Sequence, residues 1–149
     1  MSAITRILLK IKTANTEGAG TDGNVYLGIG GREFKIDTSI NDFEKNVSQD
    51  IVMGDIHVNP PALPVNNQGG NDPRTGYVID SSDISQSPIY IRFEPKSNED
   101  NWRIESLFVQ ATGTEGYILS ATPGNGFDNL WLGHKFGKII YCTRRITPI

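Results

Sequence analysis

Oxygen-bearing side chains gather in three short stretches of this chain. The first is Gly18-Ala19-Gly20-Thr21-Asp22-Gly23-Asn24, the second Asn41-Asp42-Phe43-Glu44, the third Asn98-Glu99-Asp100-Asn101-Trp102. Each offers carboxylates, amides and backbone carbonyls. That is the donor chemistry of Ca²⁺, which takes six to eight oxygens in tolerant geometry. Glycines at 18, 20 and 23 suit a backbone that must turn its carbonyls inward, because glycine reaches positive φ without steric cost. The competing reading is that these are ordinary Asx-rich turns, in which Asp and Asn bond their own backbone.

Other chemistry is thinly represented. The two histidines, His57 and His134, lie in turn-rich segments without a G-x-S-x-G neighbour, so the chain is expected to be no enzyme. Cys142, the single cysteine, excludes an internal disulfide and a cysteine-built zinc site, and its place in an apolar alternation predicts a sheltered, inert thiol. Gly28-Ile29-Gly30-Gly31 lacks the following helix and Lys-Ser/Thr of a phosphate loop. With 14 Lys and Arg against 17 Asp and Glu, the net charge of −3 makes nucleic acid a poor partner.

The elements that must position the oxygen ligands are strands. Ile7, Leu9 and Ile11 alternate with Leu8, Lys10 and Lys12; Val25, Leu27 and Ile29 with Tyr26, Gly28 and Gly30; Ile89, Ile91 and Phe93 with Tyr90, Arg92 and Glu94. Residues 104–109 and 139–142 are further β-rich runs. This period of two places one face on a core and the other toward water. Frequent turn-formers between short strands predict an all-β chain, an antiparallel sandwich or barrel forming a single domain over 1–149. Two insertions interrupt the spacing. Residues 54–87 are dense in turn-formers, with a short strand expected at 77–79, and residues 121–137 mix turns with Phe127, Leu130, Trp131, Leu132 and Phe136. No apolar run spans a bilayer and the N-terminal stretch is broken by Arg6, Lys10 and Lys12, so a cytoplasmic location, peripheral to a membrane, is expected.

The spacing also carries a resemblance. EGAGTDGNVYLGIGG followed by INDFEKNVSQDIVM, then IYIRFEPKSNEDNWRIESLFVQ and the ending GKIIYCTRRI, resembles the PLAT (lipoxygenase homology) domain family over residues 7–53, 88–112 and the last strand. The resemblance implies an eight-stranded antiparallel β-sandwich with calcium held among loops at one end. Carried over residue by residue, it implies ligands Gly20, Thr21 and Asp22 from the first loop, Asn41, Asp42 and Glu44 from the second, and Asp100 and Asn101 from the third. Asp22, Asp42, Glu44 and Asp100 brought together without a cation would repel by roughly a few kcal/mol at intermediate dielectric, which is a physical reason to expect Ca²⁺.

The resemblance further implies a recruitment module for a membrane or lipid surface; the alternative is a calcium-stabilised protein–protein interaction module. Members that enter bilayers carry aromatic residues at the loop tips. Here the tips read Thr16-Glu17 and Lys96-Ser97, with Arg145 near the end of the last strand, so the lipid or partner contact falls to Phe127, Leu130 and Trp131, unless that segment is a flap closing the sandwich. A third reading, a carbohydrate-binding module, needs exposed aromatics on one sheet face, for which Tyr26, Tyr90 and Tyr117 are candidates. Trp102 is expected to anchor the third loop to the core.

Overall fold

The structure is a computed structural model describing residues 1–124 and 129–146. Ten strands carry it: β1 (Ile4–Thr13), β2 (Asn24–Ile29), β3 (Arg32–Lys35), β4 (Ser48–Gly54), β5 (Leu63–Pro64), β6 (Ile89–Glu94), β7 (Asn101–Gly113), β8 (Ile118–Thr122), β9 (Leu130–Gly133) and β10 (Ile139–Ile146). One short helix, α1 (Ser81–Gln86), precedes β6. The strands run in the order β3-β2-β6-β10-β8-β7-β1-β4-β5, with β9 added to the start of β7. All pairings are antiparallel except β4 with the two-residue β5. The fold is the expected all-β sandwich.

β10 joins the two layers. Its first half, Ile139 to Cys142, pairs with β6, and its second half, Thr143 to Ile146, pairs with β8. The inner faces meet in one apolar core. Ile7, Leu9 and Ile11 of β1, Ile51 and Met53 of β4 and Val109 and Ala111 of β7 contribute to it, as do Val25, Leu27 and Ile29 of β2 and Ile89, Ile91 and Phe93 of β6. The alternation therefore holds for the core face, though Leu8 and Val52 are buried on the opposite parity, and β7 slips once. In β7 the buried positions pass from Ile104 to Leu107, three residues on, because a bulge opposite Lys12 and Thr13 shifts the register there.

The insertions are built rather than loose. In 54–87, residues 77–79 form no strand. Ile79 is instead buried and its carbonyl accepts from Ile4 N, while the chain continues through a single bridge at Asp80 into α1. Asp80 caps that helix by accepting from Ser82 N at 3.0 Å, and Asp83 answers by accepting from Asp80 N at 2.8 Å, a capping box. The buried Asn71 side chain takes the Lys35 N–H at 2.9 Å, covering a donor of the edge strand β3. Residues 121–137 contain the end of β8 and the whole of β9, so the sandwich absorbs much of this segment. Among the described residues, no helix is long and apolar enough to cross a membrane.

Candidate functional site

The three donor stretches are connections at one end of the sandwich: between β1 and β2, between β3 and β4, and between β6 and β7. Backbone bonds tie them together. Thr21 N donates to Phe43 O at 3.0 Å, Asn46 N to Ala14 O at 3.2 Å and Arg103 N to Ala19 O at 3.0 Å. One side-chain strut joins the first loop to the third: the buried Thr21 hydroxyl donates to Asp100 Oδ1 at 2.7 Å while accepting from Gly23 N at 2.9 Å. Trp102 stands beneath, fully buried, as expected of an anchor. Its ring packs on Phe43 and Phe93 with centroids 5.0 and 5.6 Å away, and its indole N–H donates to Thr13 Oγ1 at 2.9 Å.

The glycines serve a different purpose from the one the sequence suggested. Only Gly18 of the three has positive φ, at 76°. At Gly20 and Gly23 the requirement is space. A Cβ on Gly20 would lie 2.9 Å from Lys45 N, and one on Gly23 would lie 2.6 Å from Glu94 O and 2.8 Å from Asp100 Oδ2.

Seven of the eight expected ligands line two clefts that share Thr21 and Asp22. One, of about 170 Å³, also takes in Asn24, Lys35, Asp37, Asn41 and Asp42. The other, of about 340 Å³, takes in Gly20, Glu44, Lys45, Lys96, Ser97 and Asp100. Asn101 is apart from both: it opens β7 opposite Gly133, its amide oxygen against that glycine. Asp37, just after β3, joins the first cleft, and neither its type nor its spacing had singled it out.

Several of these groups already have work. Asp42 accepts from Thr38 N and Gln49 Nε2, each at 2.7 Å, and from the Thr38 hydroxyl, so it staples its own loop. Asp100 accepts from Thr21 and from Lys96 N at 2.7 Å. The Asn41 amide donates to Glu44. Asp22 is exposed at the border of the two clefts. Among the described residues, no three His, Cys, Asp or Glu side chains stand together closely enough to hold a metal ion. The carboxylates lining the clefts nonetheless keep acceptor positions to spare. A carboxylate has about four acceptor positions. Asp100 uses one on each oxygen, and Asp42 leaves Oδ2 with a single donor.

The rim of this end is apolar and basic. Gly133 sits opposite Asn101, so the turn at 134–138 between β9 and β10 projects at the same end as the donor loops. Phe136 is 54% exposed there, stacked on Trp131 with centroids 6.0 Å apart, and the Arg103 guanidinium lies 5.6 Å from the Trp131 ring centre. His134, Lys135 and Lys138 are exposed on the same turn. Of the expected contact trio, Leu130 is exposed at the far end of β9, Trp131 is half-buried beneath Phe136, and Phe127 lies outside the described residues. The exposed aromatic tip is Phe136.

Comparison with known proteins adds a fold likeness. The chain is similar to the alpha toxin from Clostridium absonum. The identity is 25% with a TM-score of 0.54, over 94% of this chain and 31% of the toxin. Two lipoxygenase variant structures, one in complex with arachidonate, align at 13% identity and a TM-score of 0.49, each over 93% of this chain and 16% of theirs. The chain thus spans under a third of the length of the solved proteins it resembles. No family model and no curated protein matches it.

The remaining reactive groups are isolated. His57 pairs with Asp55 at 2.9 Å, but its side chain is almost wholly exposed. Burial pushes the Cys142 thiol up to about 12.

Proposed function

We propose that this chain is a non-enzymatic, calcium-binding recruitment module that docks on a lipid surface by its loop end. The observation that carries the reading is the coincidence, at one end, of oxygen-donor clefts with an exposed Phe136 flanked by Lys135 and Lys138. The likeness to about a third of a larger toxin supports a module that works beside other domains.

Gly20, Thr21, Asp22, Asn41, Asp42, Glu44 and Asp100, with Asp37, would supply the oxygens, the carboxylates closing on an ion from positions wider apart than a bound metal requires. Calcium there would supply positive charge where the loop carboxylates otherwise repel an anionic headgroup. The chain's own residues do the rest. Phe136, about half of it still free to be covered, enters the interface, where aromatic rings are favoured, for roughly 0.8–1.6 kcal/mol of burial. Each lysine adds about 1 kcal/mol beside anionic lipid. The sum is a weak, reversible attachment, suited to a module that assists another domain. Trp131 and Arg103 brace the phenyl ring from behind.

Co-sedimentation with phosphatidylcholine vesicles, with and without phosphatidylserine, tests this. Binding should require phosphatidylserine and Ca²⁺, vanish with chelator, and weaken roughly four- to fifteenfold in Phe136→Ser, following the lost burial. Absence of vesicle binding at millimolar Ca²⁺, together with a discrete complex in pull-downs, would transfer the end to a protein partner. An unchanged melting temperature in millimolar Ca²⁺ would remove calcium from the reading.

A further inference from the structure

A second surface, away from the loop end, has the features of a ligand platform. On the outer face of the β3-β2-β6-β10 layer, the strand register sets two rows. One reads Glu33, Gly28, Tyr90, Tyr141; the next reads Lys35, Tyr26, Arg92, Ile139. Gly28 has no side chain to offer this face, and the Tyr90 ring lies over the vacant position: a Cβ there would fall 2.2 Å from its carbons. Tyr141 meets Tyr90 edge-on, centroids 5.9 Å apart and planes at 62°, and it remains 61% exposed. The two rings make a corner.

That corner is fixed by polar groups that are themselves paired. Glu33 accepts from the Tyr90 hydroxyl at 2.7 Å and from Arg92 at 2.9 and 2.8 Å. Arg92 reaches Glu94 at 3.4 Å and lies 4.2 Å from the Tyr26 ring centre. Beside Tyr141, where β10 leaves β6 for β8, a groove of about 480 Å³ opens between Pro88, Ile89, Cys142 and Thr143. Arg144 is held at its end by the carbonyls of Ile84 and Ser87 at 2.8 and 2.7 Å.

On the sheet face the charges cancel, Arg92 and Lys35 against Glu33 and Glu94, and a further cation, Arg144 at the groove's end, is turned to two backbone carbonyls. An ionic ligand therefore finds no net charge to neutralise, and the complement is a neutral molecule. The groove falls within the roughly 300–1,000 Å³ of small-ligand sites. A molecule with apolar faces, polar edges and no charge matches rigid rings rimmed by immobilised hydrogen-bonding groups. We infer that this face binds a neutral saccharide chain, a β-linked glucan, whose equatorial substituents leave C–H surfaces to stack on Tyr141 and Tyr90 and hydroxyls to meet the groove.

Native affinity electrophoresis in gels containing hydroxyethyl cellulose or laminarin tests this, with chelator present throughout so that the loop end plays no part. The wild-type chain should be retarded, and Tyr141→Thr, an exposed and strand-compatible change, should bind about five- to tenfold more weakly, the effect of losing one stacking ring. Backbone NMR of the wild-type chain titrated with cellohexaose supplies a readout that needs no variant, with shifts expected at Gly28, Tyr90 and Tyr141. Three results would overturn the inference. They are no retardation in either glucan, equal retardation of Tyr141→Thr, or shifts at these amides that follow protein concentration without sugar, which would assign the face to a second copy of the chain.

Discussion

Replacing Thr21 by Val probes the strut between the first and third loops with almost no change of shape. Thr21 is buried, donates to the Asp100 carboxylate at 2.7 Å and accepts from Gly23 N at 2.9 Å. A hydrogen bond to a charged group contributes roughly 1.5–3 kcal/mol, and a deprived N–H adds up to about 1 kcal/mol where water partly reaches it, as it does at half-buried Gly23. The expected loss is about 2–4 kcal/mol. At roughly 3 °C per kcal/mol for a chain of this size, the melting temperature should fall by about 6–12 °C in metal-free buffer. Circular dichroism melts measure the drop, and urea titrations should show an unchanged slope. Because Asp100 also accepts from Lys96 N, the clean measurement is a double-mutant cycle with Asp100→Ala, which removes the acceptor, expected to give a coupling of about 1–3 kcal/mol. A drop below about 1 kcal/mol, or additive single changes, would refute the claim that this bond holds the two loops together.

Two further outcomes follow from the electrostatics. Burial holds the Cys142 thiol up at about 12, so at pH 8 iodoacetamide should label it roughly 40- to 100-fold more slowly in the native chain than in urea, the scarcer thiolate being partly offset by its greater nucleophilicity, as read by mass spectrometry; a native rate near that of a free thiol would contradict its sheltered place in β10. The bonds from Arg92, with that from Tyr90, hold Glu33 below its ordinary 4.5; its stabilising share is full above that value and is lost as pH falls through the lower folded value, so the urea midpoint of the wild-type chain should decline below pH 4.5 more steeply than that of Glu33→Gln, and parallel declines would show the ion pair contributes nothing.

The alternating runs were legible because their period is local. Ile7, Leu9 and Ile11 or Val25, Leu27 and Ile29 each face one core, and no distant information was needed to say so. The bulge in β7 was not legible, since it arises from β1 across the ladder. The donor loops were readable as a group through their spacing. The tasks of individual residues were not. Asp42 bonds Thr38 and Gln49, partners fixed by the path of the loop, and Asp37 enters a cleft only because β3 ends where it does. Tyrosine faces followed the same division. Tyr26 and Tyr90 were candidates for one outer face and share it, but Tyr117 packs against the core with a buried hydroxyl that has no partner among the described residues, and Tyr141 takes the outer position. The sheltered place expected of Cys142 implied that Tyr141 faces out, but not that β6 would set it beside Tyr90. Phe136 was visible only as one apolar residue of an irregular segment; the pairing of β9 with β7 is what carries it to the loop end.

Four acidic side chains at one end suggested a pole that only a cation could assemble. The hydrogen bonds alter that argument. Asp42 and Asp100, two of the four, are met by backbone N–H groups, hydroxyls and an amide, while Lys35, Lys45 and Lys96 border the clefts. Carboxylates so engaged repel one another less, because donors and ammonium groups offset their charge locally. Trp102, locked to Thr13 and wedged between Phe43 and Phe93, holds the loops from below regardless of any ion. The proposed calcium therefore has charge to change rather than architecture to build. It would move Asp22 and its neighbours from repelling an anionic surface to tolerating one, with Phe136 already in place. On this reasoning, calcium should raise vesicle affinity more steeply than it raises the melting temperature, and chelation should release the chain from lipid without unfolding it.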